Sequence, residues 1–245
     1  MNKTVLITGA AGGIGEAICE IFAKDGYNLA MHCSSSVRKA EEIAERLKGE
    51  YGITAEVFGA DFTKEDKVKS LAERVLARFG KIDILVNNAG IAYQNLFQLA
   101  DDKKIKEVMD INLMSALSLT KEILPTMISA KWGRVINISS MWGISGASCE
   151  VHYSTAKSAL IGFTKALAKE VGPSGITVNC VAPGFIDTKM NGNLDEEAVR
   201  EIIDCTPVGR AGTGADVAEL VRFLADDRAE FITGQVISVD GGYGV

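Results

Sequence analysis

The chain has 245 residues, is 47% hydrophobic, and carries 26 Lys and Arg against 32 Asp and Glu, a net charge of −6. That acidic balance, with no basic run, argues against a nucleic-acid surface, and no apolar stretch approaches the ~20 residues of a membrane span. Cys19, Cys33, Cys149, Cys180 and Cys205 are odd in number and scattered, and only His32 and His152 could join them. Neither a disulfide framework nor a metal site is expected. A strand pattern beginning at Lys3 leaves no room for a signal peptide, so a reduced, cytoplasmic protein is expected. The length suits one large core, and the sparse prolines and absence of low-complexity tracts mark no linker, so residues 1–245 are expected to form a single domain.

In chain order, residues 3–8 (KTVLIT) form a short β-branched apolar run, the pattern of a buried strand, and residues 14–22 carry apolar side chains at helical spacing. The glycine-rich TGAAGGIG at 8–15 joins them. Gly9, Gly13 and Gly15 permit a tight turn, close approach of a pyrophosphate and close helix packing, and a phosphate would sit against the N–H groups at the helix start. The spacing is GxxxGxG rather than GxGxxG, and tight packing alone is the competing explanation.

Further strands are expected at 27–33, 54–59, 82–87, 133–139, 175–182 and 235–239. The clearest helices are expected at 38–50, 64–79 and 104–130, the last interrupted near Pro125. Apolar strands alternating with helices predict an α/β fold, a Rossmann-like doubly wound parallel sheet of about seven strands with helices on both faces. Ligand then belongs at the carboxyl ends of the strands.

Residues 151–169 have the pattern of a long helix, which puts Tyr153 and Lys157, at i and i+4, on one face. A free Tyr titrates near 10, so a phenol that exchanges protons near neutrality needs a stabilising cation, and a shift of about three units takes roughly 4 kcal/mol. A buried Tyr beside a solvated Lys is the plain alternative. Ser140, at the end of the 133–139 strand, has Ser139 as its rival.

These pieces stand in one order: TGAAGGIG, Asp61 after the third strand, Asn87-Asn88-Ala89-Gly90, Asn112, Ser140, Tyr153 to Lys157, and Pro183-Gly184-Phe185-Ile186-Asp187-Thr188. With them the whole chain resembles a short-chain dehydrogenase/reductase. The resemblance implies that Tyr153 is the general acid/base, that Lys157 lowers its pKa and holds the nicotinamide ribose, and that Ser140 binds the substrate carbonyl oxygen. It implies a water-holding role for Asn112, which could instead mark a helix kink or cap. The cofactor would be held by Gly9, Gly13, Ile14 and Gly15, by Ser34 and Arg38, by Asp61 and Phe62, by Asn88, Ala89 and Gly90, by Tyr153 and Lys157, and by Pro183, Gly184, Ile186 and Thr188.

Cofactor choice turns on the end of the second strand, where an acid would hold the ribose hydroxyls of NAD(H). Cys33 stands there, followed by Ser34 and, four residues on, Arg38, which can offer donors and positive charge to a 2′-phosphate. NADP(H) is therefore favoured and NAD(H) remains possible; Arg38 could equally be an exposed helix residue.

For substrate, KIDILVNNAG, the PGFIDT segment and the ending ITGQVISVDGGYGV most resemble 3-oxoacyl-acyl-carrier-protein reductases, which is the favoured expectation. Their basic docking residues for acyl carrier protein correspond to Lys131 and to Ser174, the latter a departure. The loop from Trp142 to Val151 resembles a reductase subgroup acting on the aminopentanone modification of elongation factor P. There Glu150 could meet an amine, or simply suit a helix N-terminus, while Met141 and Trp142 could line a pocket or pack. A cofactor-binding regulatory module without turnover is the reading from another class. Assembly as a homotetramer and a lid over 187–206 are further expectations, the first from the resemblance.

Overall fold

In the computed structural model, which describes residues 2–188, 192 and 195–244, seven strands form one parallel sheet: β1 (Thr4–Ile7), β2 (Asn28–Cys33), β3 (Ala55–Gly59), β4 (Ile84–Asn87), β5 (Gly133–Ile138), β6 (Ile176–Pro183) and β7 (Val236–Val239). The spatial order is β3-β2-β1-β4-β5-β6-β7, with in-register parallel pairing such as Leu6 beside Ala30 and Leu85. Alternation along each strand sends side chains to two cores. Val5, Ile7, Leu29, Met31, Val86 and Ile136 face one, and Leu6, Ala30, Leu85, Val135 and Val178 face the other. Each fully buried aliphatic side chain stabilises the fold by ~1.5–3 kcal/mol relative to exposure.

Helices α1 (Gly13–Lys24), α2 (Val37–Tyr51) and α9 (Gly214–Ala225) cover the first face. Helices α3 (Glu65–Phe79), α5 (Ser115–Ala130) and α7 (Val151–Val171) cover the second. This is the expected doubly wound architecture. Strand order reverses between β1 and β4, so their carboxyl ends diverge and leave a crevice.

The expected 104–130 helix departs from expectation in an instructive way. It is α4 (Asp102–Met109), then a π-helical turn (Asp110–Met114), then α5, which runs unbroken through Pro125. The interruption therefore falls at Asn112, where a polar side chain has a partner outside the helix. Short α6 (Trp142–Ser145) was not expected. Within the anticipated lid, residues 189–191, 193 and 194 lie outside the described residues, and α8 (Glu196–Asp204) occupies much of the remainder. Asp195 starts α8 by accepting from the Ala198 amide at 2.8 Å.

Candidate active site

A cleft of about 910 Å³ opens at the carboxyl ends of β1, β2, β4, β5 and β6. Its floor is the glycine turn. Gly9 has φ +69°, and a Cβ on Gly15 would collide with the Gly9 carbonyl oxygen. Helix α1 begins behind it at Gly12 with no side-chain cap, so the first-turn amides are available to an anion.

Thr8 and Asn88 lock this turn to β4. The Thr8 hydroxyl accepts from the Asn88 and Ala89 amides, each at 2.9 Å, and Asn88 Nδ2 donates to the Thr8 carbonyl at 2.9 Å. Deeper, Asn87 Nδ2 donates to Thr120 at 3.1 Å and to Asn137 at 2.8 Å, and Asn137 donates to Thr164 at 2.8 Å. This buried ladder ties β4 and β5 to α5 and α7 and so fixes the frame of the reacting groups.

Ser140 and Ser139 separate cleanly. Ser139 Oγ donates to the Lys157 carbonyl at 2.9 Å and braces α7. Ser140 Oγ accepts from the Trp142 amide at 3.2 Å and hydrogen-bonds Tyr153. Tyr153 and Lys157 are buried and line the cleft with Ser140. Lys157 Nζ donates to the Ile138 carbonyl at 2.7 Å. Burial pushes the Tyr153 phenol up to about 12, the Ser140 hydrogen bond opposing and the Glu150 charge adding. Burial also pushes the Lys157 ammonium down to about 8. Among the protein's own influences, burial is thus the largest on Tyr153 and raises it, and Lys157 is held on the Ile138 carbonyl.

Asn112 is buried and clasps Ile91, accepting from its amide and donating to its carbonyl, both at 2.8 Å. A Cβ on Gly90 would lie 3.2 Å from Asn112 Oδ1 and 3.4 Å from Lys157 Nζ. The two residues therefore border the same glycine, and the kink alternative holds as well, since Asn112 sits in the π turn.

Gly9, Gly13, Ile14, Gly15, Ser34, Asn88, Ala89, Gly90, Pro183, Gly184, Ile186 and Thr188 all line the cleft. Arg38 is exposed and lies outside the lining, whereas its neighbour Lys39 lies within it. Lys39 Nζ donates to the Ala11 carbonyl at 2.8 Å and to Glu16 at 2.6 Å. Helical phase explains the shift: one residue along α2 turns the side chain ~100°, and the helix expected from 38 begins at Val37. Asp61 and Phe62 also stand outside the lining. Asp61 Oδ1 caps Thr63 at 3.0 Å, and Phe62 stacks on His32 at 3.9 Å.

Two further residues of the cleft gain definition. Trp142 lines the cleft with Met141 and packs edge-on against Tyr243 at 5.9 Å. Glu150, only 8% exposed, is the N-cap residue of α7, but its side chain makes no cap hydrogen bond. It lines the cleft and accepts from Gln94 Nε2 at 2.8 Å, a partner the sequence did not suggest. Lys131 is exposed at the C-terminal end of α5, just before β5. It stands at the amino ends of the strands, the opposite edge of the sheet from the cleft of its own chain, with six residues of β5 between, ~20 Å at strand rise.

A glycine turn at the switch point of a doubly wound sheet, facing a buried Ser-Tyr-Lys group, defines a dinucleotide-type oxidoreductase site. The short chain dehydrogenase family model matches residues 3–199, and the chain belongs to that family. It is 42% identical over 243 residues to an uncharacterized oxidoreductase of Bacillus subtilis, YmfI, covering 99% of each chain. It is 38% identical over 242 residues to the 3-oxoacyl-[acyl-carrier-protein] reductase FabG of Staphylococcus epidermidis, again covering 99% of each. The same identity relates it to FabG of Staphylococcus aureus, covering 99% of this chain and 98% of that one.

No helix among the described residues is long and apolar enough to cross a membrane. Cys19, Cys33 and Cys180 are buried as free thiols, Cys149 is partly buried and Cys205 exposed.

Proposed function

We propose that the protein is an NADPH-dependent carbonyl reductase, a reading carried by the convergence of the glycine turn and the buried Ser140, Tyr153 and Lys157 in one cleft. The uncapped start of α1 and the turn that a Cβ on Gly15 would fill suit a pyrophosphate. Gly9, Gly13, Ile14 and Gly15 would hold it, with Asn88 to Gly90 and Pro183 to Thr188 along the remainder of the dinucleotide. Lys39 and Ser34 to Ser36, with Cys33 where a carboxylate would repel phosphate, support the 2′-phosphate form. Bound there, the nicotinamide supplies the hydride. Ser140 and Tyr153 hydroxyls stabilise the charge that grows on the carbonyl oxygen, and Tyr153 gives up its phenolic proton. Lys157 orients the ribose and, with Asn112 across Gly90, borders the route by which that proton is replaced.

Two substrate classes fit this chemistry. A 3-oxoacyl thioester on acyl carrier protein is supported by the relatives of that name. An amine-bearing ketone, of which the aminopentanone on elongation factor P is the example, is supported by Glu150. A buried carboxylate beside the catalytic phenol raises its pKa, a cost that a substrate ammonium would offset. Lys131, the remaining basic docking position, is remote from the cleft of its own chain. On geometry we favour the amine-bearing ketone.

The test compares acetoacetyl-carrier protein with an amine-bearing ketone, using NADPH and the Glu150→Gln variant. The favoured reading expects the variant to lose about tenfold or more in kcat/KM for the amine while sparing a neutral ketone. Efficient reduction of the carrier-bound substrate with no effect of Glu150→Gln on amines assigns the thioester instead.

Assembly as a homotetramer is part of the proposal. Met114, Ile128, Phe223 and the fully exposed Phe231 lie on the helices and C-terminal segment that such interfaces would cover.

A further inference from the structure

His32 sits on β2, buried, one residue before the Cys33 that borders the cleft. The Gly9 amide donates to its Nδ1 at 3.4 Å, and its Nε2 lies 3.1 Å from the Ala60 carbonyl oxygen. An amide N–H can only donate and a carbonyl oxygen can only accept, so both contacts are satisfied by one form alone, the neutral ring protonated at Nε2. The ring is stacked flat on Phe62, 3.9 Å between centres and 7° between planes. Gly9 is the left-handed pivot of the glycine turn, and Ala60 opens the segment that carries Asp61 and Phe62.

We infer that His32 is a positioning residue of the cofactor site: its neutral ring, seated by the Ala60 carbonyl after β3, offers Nδ1 to the Gly9 amide and so holds the first strand-to-helix turn in the form that takes the adenosine diphosphate half of the dinucleotide. The backbone supports the same link, since the Ala10 amide donates to the His32 carbonyl at 2.9 Å. The charged group acting on the ring is Arg74 on α3, which itself donates to the Gly59 carbonyl at 2.7 Å. Burial above all, against the raising effect of the Ala60 hydrogen bond and with a smaller push from Arg74, holds the ring neutral, its pKa lowered to about 4, so the bond to Gly9 persists at neutral pH. A protonated ring would turn an Nδ1–H toward the Gly9 N–H and break it. This inference rests on the dinucleotide reading of the cleft.

Two substitutions divide the ring's two bonds. His32→Asn places an amide oxygen near the position of Nδ1 and keeps the acceptor for Gly9. His32→Gln places an amide nitrogen near Nε2 and keeps the donor to Ala60. Each loses one buried hydrogen bond, so the Tm of both should fall by similar amounts. Affinity should not fall equally. Calorimetric titration with ADP-ribose, which has the adenosine diphosphate half and no nicotinamide, should give His32→Asn within about threefold of the unmodified protein and His32→Gln about tenfold weaker. Equal affinities, or affinities that simply track Tm, overturn the positioning role. If the variants do not fold, the ¹⁵N shifts of the His32 ring in the unmodified protein decide: a proton on Nε2 supports the inference, and one on Nδ1 overturns it. An unmodified protein that does not bind ADP-ribose overturns the dinucleotide reading, and this inference with it. One that binds while the variants fail to split overturns this inference alone.

Discussion

Lys157 and Tyr153 share a face of α7, with the ammonium over the phenol ring: Nζ lies 5.7 Å from the centre of the Tyr153 ring and donates to the Ile138 carbonyl at 2.7 Å. At that separation Lys157 acts on Tyr153 through space rather than through a shared hydrogen bond. Burial drives both groups toward their neutral forms, the phenol to about 12 and the ammonium to about 8. The direct hydrogen-bond partner that favours the phenolate is Ser140.

Tyr153→Phe is expected to remove carbonyl reduction by roughly 10²- to 10⁴-fold, the usual worth of general acid assistance, while cofactor binding stays close to that of the unmodified protein. Steady-state rates with any accepted ketone, alongside cofactor titration, check this. A variant that keeps most of its turnover removes Tyr153 from the reaction, whereas an unmodified protein that binds cofactor and turns over no ketone leaves a cofactor-binding regulatory module as the better reading of the fold.

Lys157 gives the protein a pH signature. Its pKa falls from an ordinary 10.5 to about 8 in the fold, so between those values the unfolded chain holds a proton that the folded chain has released. Unfolding free energy should therefore rise with pH across that window, by about 3 kcal/mol if the shift is fully expressed. Below about pH 8 both states are protonated, and the cost of burying the ammonium is present in full. Denaturant unfolding at a series of pH values, with Lys157→Met as reference, should show the rise in the unmodified protein and a flatter profile in the variant. Over the same range, loss of the ammonium should weaken ribose binding.

Most of this architecture was legible in the sequence because its signals are local. A β-branched run such as Val5 to Ile7, or the spacing of Tyr153 and Lys157, needs no tertiary context to be read. What escaped depends on long-range geometry. Lys39 rather than Arg38 reaches the cleft because of the phase at which α2 starts. The break in the long helix falls at Asn112 rather than Pro125 because Asn112 has Ile91 to bind, whereas proline's missing N–H is tolerated within α5. Glu150 does stand at a helix start, as its sequence position suggests, but its bond to Gln94, 56 positions away, has no local signal.

Cofactor preference should follow Lys39. Lys39→Ala is expected to weaken NADPH by about tenfold and leave NADH nearly unchanged, since only the 2′-phosphate calls on a cation there. Arg38→Ala, altering an exposed side chain outside the cleft, should change neither. Cys33→Asp should reverse the order by adding a carboxylate beside the phosphate. Parallel titrations of the two reduced cofactors test all three, and a preference for NADH in the unmodified protein would sink the assignment.

Three glycine-to-alanine changes separate backbone need from mere occupancy. At Gly49, within α2, an added Cβ meets nothing within 4 Å, so alanine should stabilise the protein by ~0.5–1 kcal/mol through the lower entropy of the unfolded chain. At Gly13 the new methyl would lie 2.7 Å from Cγ2 of Thr188; a threonine side chain can turn aside, so folding should survive with cofactor affinity reduced as Thr188 is displaced. At Gly15 the obstacle is the Gly9 carbonyl oxygen, with Asn88 Nδ2 at 2.9 Å behind it. Neither can yield without moving the turn itself, because Asn88 is held by Thr8 and Gly9 carries the left-handed bend. Gly15→Ala should therefore cost ~1–3 kcal/mol of stability, as overpacking commonly does, and abolish cofactor binding at concentrations that saturate the unmodified protein. Thermal unfolding and cofactor titration on the three variants give the order directly. A Gly15→Ala protein that binds cofactor normally would mean that the turn at 8–15 is not the phosphate cradle.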